Sequence, residues 1–261
     1  MRNIICRVLQ ALVILAVAAS FAKADNFMYF RKSVGGCPAG SYAGGDQETF
    51  ECSSIDFQTY ANGTNKHTVV DNTAGGFSIY DSGLSHGGVH SMGVDVSATT
   101  RAYVETDLGV PDTTCSWAFW VYLPSFGSST WKTIIINEAK LSSSEPGLDP
   151  YQSRVVFKRT DPTYYLILYN ASGTNQSVTI TTVGAWYEVQ VDYTYGGNIV
   201  MSVWDSVGTL IGTATVAQTG SGGVRYIYHG NFSTGSAMWD SPKMYIDDLK
   251  FNPNGGNVYG H

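Results

Sequence analysis

The side chains able to do chemistry sit in a few short runs. In Trp186-Tyr-Glu-Val-Gln-Val-Asp-Tyr193 the residue types alternate. An extended strand turns successive side chains to opposite faces, so Glu188, Gln190 and Asp192 share one face. Tyr187, Val189, Val191 and Tyr193 share the other, which packs on a core. Two carboxylates on one face are the equipment of a glycoside hydrolase. Acids four residues apart on a strand, however, are separated by roughly 13 Å, wider than such pairs usually are. The same face read without catalysis is a polar sheet surface.

A polysaccharide lyase needs other parts. It uses a base such as His or Tyr, and a cation or amide to neutralise a uronate carboxylate. Arg154, Lys158, Gln190, Tyr228 and His229 are of those types. As a catalytic alternative the residues are therefore Glu188, Asp192, Tyr228, His229 and Arg154. His86-Gly-Gly-Val-His90 has a zinc-like spacing, but two glycines argue against a helix and no third ligand is evident. No nucleophile elbow, phosphate loop or dinucleotide fingerprint occurs.

Non-catalytic sugar binding asks for flat aromatic rings against pyranose C–H faces, with amides, carboxylates and hydroxyls around them. In Cys115–Leu123, Trp117, Phe119 and Val121 form the more apolar set and are expected in the core. That leaves Trp120 and Tyr122 as platforms. Tyr165, Tyr169, Glu188, Gln190, Tyr228 and His229 are expected to line one concave sheet with them.

The elements that must position these residues are strands. Charged residues are 14% of the 261, aromatics 13%, with 17 Tyr and 29 Gly, a mix that excludes a disordered chain or a helical bundle. Eleven strand-like runs separated by turn residues lie between Arg101 and Phe251. Hairpin turns are read at Gly196-Gly197-Asn198, at Val207-Gly208 and around Gly173. So many strands predict an all-β, two-sheet antiparallel sandwich in one domain over residues 48–251. Residues 25–47 read as a Gly-rich arm and 252–261 as a Gly/Asn-rich tail.

Residues 1–24 have the plan of a secretory signal. Arg2 and Arg7 precede the apolar run Val8 to Phe21, and Ala22-Lys23-Ala24 makes a cleavage site before Asp25. The protein is then expected outside the cytoplasm, secreted or periplasmic. Its mature form carries 12 basic against 21 acidic residues, a net charge of −9. That balance argues against nucleic acid or anionic lipid as partner and suits a neutral or cationic ligand. No later run is long and apolar enough to cross a membrane. Export permits disulfides, and a Cys37–Cys52 bridge would staple the Gly-rich arm. Cys115 opens an apolar strand and reads as a buried thiol; an accessible one would favour covalent assembly.

Several segments, taken in order, resemble laminin-G-like domains of the concanavalin A-like lectin/glucanase superfamily. They are Thr49-Phe50-Glu51, His90-Ser91-Met92, the Trp186–Tyr193 strand with its Gly-Gly-Asn turn and Ile199–Asp205, and Met244-Tyr-Ile-Asp-Asp-Leu-Lys-Phe251. The resemblance implies a jelly roll and a structural calcium held by Glu51 with Asp247 or Asp248. It also brings the E-x-D-x-E carboxylate pattern of the related glucanases, which this chain meets only in part, at Glu105-Thr-Asp107 and Glu188–Asp192. The function expected is a secreted carbohydrate- or glycoconjugate-binding protein. A polysaccharide-degrading enzyme and an adhesive protein-binding module are the alternatives.

Overall fold

The computed structural model describes residues 41–42, 45–48, 67–70, 77–81, 83–88, 90–94, 102–125, 131–143, 147, 150–232, 243–252, 255–256 and 258. All of them belong to one unit, Pro38–Gly260. The signal segment, Cys37, Glu51 and Cys52 lie outside the described residues.

Five short strands come first: β1 (Ser41–Tyr42), β2 (Gly45–Glu48), β3 (His67–Val70), β4 (Phe77–Asp81) and β5 (Ser91–Val94). Eleven longer ones follow: β6 (Ala102–Asp112), β7 (Thr114–Leu123), β8 (Trp131–Lys140), β9 (Ser153–Thr160), β10 (Thr163–Asn170), β11 (Asn175–Ile180), β12 (Ala185–Thr194), β13 (Asn198–Asp205), β14 (Leu210–Ala217), β15 (Val224–Asn231) and β16 (Met244–Asn252). These eleven are the strands expected from alternation and turn residues. The turns are where Gly permits them: Gly173, Gly196 and Gly208 all have positive φ. No helix occurs among the described residues.

The strands form two antiparallel sheets packed as a sandwich. One runs β1-β2-β16-β7-β12-β13-β14, with β5 added beside β16 and β4 beside β5. The other runs β11-β10-β9-β8-β15-β6-β3. Part of the N-terminal arm is built into the first sheet as β1 and β2. The C-terminal segment also joins it: Asn252 closes β16, and Val258 is 1% exposed, its N–H donating to Gln190 Oε1 at 3.1 Å.

The core lies between the sheets. Trp117, Phe119 and Val121 of β7, with Val189 and Val191 of β12, face Phe157, Leu166 and Leu168 of the other sheet. Each such burial stabilises the fold by roughly 1.5–3 kcal/mol. Trp117 keeps a polar partner inside: its indole N–H donates to Asn137 Oδ1 at 3.1 Å, and Asn137 Nδ2 donates to the Tyr228 carbonyl at 3.0 Å. Asn137 faces inward because β8 is irregular between Ile135 and Asn137. The same irregularity turns Glu138 to the outer face, opposite Arg154. Along one side the sheets are tied edge to edge. Thr215 N–H donates to Gln176 Oε1 at 3.0 Å, and Asn170 Nδ2 to the Ala217 carbonyl at 2.8 Å. These bonds occupy polar groups of the edge strands β11 and β14, which protects those edges from pairing elsewhere.

Candidate functional site

The outer face of the seven-stranded sheet carries a row of polar and aromatic side chains at one register level. Cross-strand partners place Glu105 (β6) beside Tyr228 (β15), Tyr228 beside Glu138 (β8), Glu138 beside Arg154 (β9), Arg154 beside Tyr169 (β10) and Tyr169 beside Asn175 (β11). Neighbouring strands lie about 4.8 Å apart, so the row crosses most of the sheet. Exposure grades along it. Tyr228 and Glu138 are buried, Arg154 and Tyr169 half-buried, and Asn175 exposed.

The buried end is aromatic. Tyr103, Tyr226, Tyr228 and Phe232 form a second cluster, separate from the main core. Tyr103 meets Tyr228 and Phe232 edge-on, with ring centroids 5.6 and 5.5 Å apart. The Tyr228 hydroxyl donates to the Glu105 carboxylate. Burial pushes the pKa of the Tyr228 hydroxyl up, and the Glu105 charge pushes it further. Burial also holds the Glu105 carboxyl above its usual range, with the Tyr228 hydrogen bond opposing and the Asp107 charge adding.

Glu138 is the centre of the row. It is 0% exposed, and its oxygens receive Arg154 Nε at 2.8 Å, Lys140 Nζ at 3.2 Å and the Gly147 N–H at 3.1 and 3.2 Å. A buried carboxylate needs such donors, because isolated burial of its charge is very costly. Gly147 reaches it in a positive-φ conformation that suits glycine. The Arg154 guanidinium also lies over the Tyr151 ring, 3.8 Å from its centroid. Arg154 is thus held on two sides.

Beyond Arg154 the face opens. Arg154, Val156 and Lys158 of β9 stand beside Tyr169, Ile167 and Tyr165 of β10. Val156 and Ile167 are buried, while Lys158, Tyr165 and Tyr169 stay half-exposed around them. Asn175, Ser177 and Thr179 of β11 form an exposed polar rim.

The outer face of the nine-stranded sheet holds the other expected residues. Trp120 is 3% exposed, because the His86 ring stacks on it at 3.5 Å between centroids. Trp186 meets His86 edge-on at 5.8 Å and Tyr122 at 5.7 Å. Glu188 lies between Trp120 and Trp204 in the register, fully buried, with Lys250 Nζ 3.8 Å away. Asp192 accepts from Ser116 Oγ and from Gln190 Nε2, and burial raises its carboxyl.

The structure therefore divides the expected binding set. Trp120, Tyr122, Glu188 and Gln190 belong to one sheet, and Tyr165, Tyr169 and Tyr228 to the other, so they do not line a single surface. The outer faces of a sandwich point away from each other. His229 lies on neither: it points inward and meets Phe119 edge-on at 4.9 Å. The catalytic alternative divides in the same way. Glu188 and Asp192 are on β12, Tyr228 and Arg154 on the opposite sheet, and His229 is in the interior. Sequence reasoning misses Glu138, since the β8 irregularity that turns it outward has no sequence signal. Glu105 is visible there only as part of an incomplete acid pattern.

Alternation predicts Asp247 and Asp248 on opposite faces. Instead β16 bulges between Asp247 and Lys250, with Asp248 at φ 48°, and both carboxylates meet the 86–87 segment. Asp247 Oδ2 accepts the N–H groups of His86 and Gly87, and Oδ1 accepts that of Asp248. Burial and the Asp248 charge raise its carboxyl well above the usual range. Glu51, the other ligand expected for calcium, lies outside the described residues. Cys115 is the buried thiol expected, raised well above its usual range by burial, which removes the accessible thiol that covalent assembly would need.

Comparison of the sequence with protein-family models and with curated proteins finds no match. Solved structures do match. The receptor-binding domain of botulinum neurotoxin D is similar over 81% of this chain and 49% of its own, at 10% identity and TM-score 0.51. The type G receptor-binding domain gives 81% and 48%, 12% identity and TM-score 0.50. A protein of unknown function from Shewanella oneidensis MR-1 is matched over 84% of this chain and 92% of its own, at 12% identity and TM-score 0.47. The chain spans about half the length of the neurotoxin domains it matches. At such identities the likeness shows that the two-sheet sandwich is a fold of known proteins, and it shows the fold alone.

Proposed function

We propose that the protein is an exported, non-catalytic carbohydrate- or glycoconjugate-binding β-sandwich, and that it binds on the outer face of the seven-stranded sheet. The observation that carries this is the pairing of half-exposed Tyr165 and Tyr169 with Lys158 and Arg154 over the buried Val156–Ile167 pair. Tyrosine rings cover the C–H face of a sugar, and the polar rim of Asn175, Ser177 and Thr179 meets its hydroxyls. The neurotoxin neighbours are receptor-binding domains, which supports a binding role for the fold. The order of the motifs along the chain supports kinship with laminin-G-like domains.

The state of the acids supports the non-catalytic reading. Glycoside hydrolysis needs a carboxylate pair open to substrate. Glu138 is enclosed by Arg154, Lys140 and Gly147, Glu188 is fully buried, and Asp192 is bonded to Ser116 and Gln190. Glu105 alone among the acids of the row is half-exposed.

Affinity electrophoresis of residues 25–261 through gels carrying neutral and acidic polysaccharides tests this. Retardation by a polymer of unchanged size, lost in Tyr165→Ala and Tyr169→Ala, is the expected result. Depolymerisation would establish the enzyme instead. N-terminal sequencing of exported protein, expected to begin at Asp25, tests the export.

A further inference from the structure

The charge of the open face differs from that of the whole chain. The mature protein carries a net −9, yet β9, β10 and β11 contain no Asp or Glu at all. Their charged residues are Arg154, Lys158 and Arg159, all on β9. Arg159 lies at the turn end of β9, where it pairs with exposed Asp161 at 2.8 Å. Arg154 and Lys158 share the outer face with Tyr169 and Tyr165. The neighbouring β8 adds Lys140 beside Tyr226 and a single acid, Glu138, which is held between Arg154 and Lys140. Strands β8 to β11 therefore carry an excess of positive charge within an acidic chain.

The spacing is regular as well as the sign. Arg154–Tyr169 and Lys158–Tyr165 are directly paired across β9 and β10, with Val156–Ile167 between them. Four residues of strand place the two cation–tyrosine pairs roughly 13 Å apart along the chain direction. Each pair offers a ring for a sugar face and a cation for an acidic substituent. Local charge of this kind decides which ligand a cleft or face attracts, whatever the net charge of the rest. Arg154 is pre-set for this by Glu138 and the Tyr151 ring, which leaves little side-chain entropy to lose on binding.

We infer that the ligand is an acidic polysaccharide, bearing carboxylate or sulfate groups, which lies lengthwise along the β9–β10 hairpin with acidic groups at Arg154 and Lys158. This rests on the reading of that face as glycan-binding, and it replaces the neutral or cationic ligand suggested by the overall charge.

The test uses residues 25–261 in affinity gels with polygalacturonate, dextran sulfate and neutral dextran, at low and high salt. Lys158→Glu and Arg154→Lys are compared with the parent, with a melting curve for each to show that it folds. The expected result is retardation by an acidic polymer, weakened by salt and roughly tenfold weaker in Lys158→Glu. Polygalacturonate against dextran sulfate then separates carboxylate from sulfate. Arg154→Lys, which keeps the charge that Glu138 requires, should weaken retention by less. Retardation by neutral dextran that Lys158→Glu leaves unchanged would overturn the acidic ligand and leave the glycan-binding face standing. Absence of retardation by all three polymers would overturn both.

Discussion

The ring of His86 lies flat on the indole of Trp120, with centroids 3.5 Å and planes 10° apart. This contact decides what Trp120 is for. A platform for sugar must present a bare face, and the face of Trp120 is taken by a side chain of the same molecule. His86 is kept there by its neighbours: its N–H and that of Gly87 donate to Asp247, and its Nδ1 lies 3.3 Å from Asp248.

His86→Ala is therefore expected to bare the indole and to cost about 1 kcal/mol of stability, the scale of one aromatic pair. Quenching of tryptophan fluorescence by acrylamide should rise, and the rise should vanish in a Trp120→Phe background. Retention in polysaccharide gels should not change. A gain in retention would show that Trp120 is a covered binding platform and would move the site to the nine-stranded sheet.

Glu138→Ala should be among the most destabilising single changes on the outer faces. It leaves fully buried Lys140 and half-buried Arg154 without their carboxylate. Breaking a buried ion pair from one side costs about 3–5 kcal/mol. Asp161→Ala breaks the pair with Arg159 at the end of β9, where Asp161 is exposed, and should cost less than about 1 kcal/mol. Urea unfolding of the two variants measures the contrast, and equal costs would contradict the burial of the Glu138 cluster.

Glu105 sets a pH dependence. Its carboxyl is raised from an ordinary 4.5, first by burial, so the folded state binds its proton more tightly than the unfolded chain does. Stability from this group is present below pH 4.5 and is lost as pH rises through the higher folded value. Glu105→Gln keeps an acceptor for the Tyr228 hydroxyl and removes the charge. Its melting temperature, relative to the parent, should therefore gain as pH rises across that window. A constant difference at all pH values would contradict the assignment.

Cys115 should be silent to thiol reagents in the native protein and react once the chain is unfolded, because it is 0% exposed and burial disfavours its thiolate. Comparison with Cys115→Ala isolates its signal. Fast labelling of Cys115 under native conditions would show that β7 does not sit in the core as described.

Much of the architecture was legible in the sequence. Alternation in Trp186–Tyr193 assigned Tyr187, Val189, Val191 and Tyr193 to the core, and the uniformly apolar set of β7 did the same for Trp117, Phe119 and Val121. Strand periodicity is a local property, set by the pleat, so a single chain segment reveals it. Gly and Asn turns revealed the hairpins for the same reason.

What the tertiary structure alone decided is which strands are neighbours and which side chains are shared. Tyr169 and Trp120 both point outward from their strands, yet β10 and β7 belong to different sheets, so the two rings serve different surfaces. Strand partners are chosen by packing over long sequence separations, which no local pattern encodes. The irregularities did the rest. One extra residue in β8 brings Glu138 to Arg154, and the bulge in β16 brings both Asp247 and Asp248 to His86. A bulge reverses the face of every residue after it without a mark in the alternation itself. The sequence alone thus determined a two-sheet β-sandwich rich in sugar-binding residue types, and the pairing of the strands chose among them.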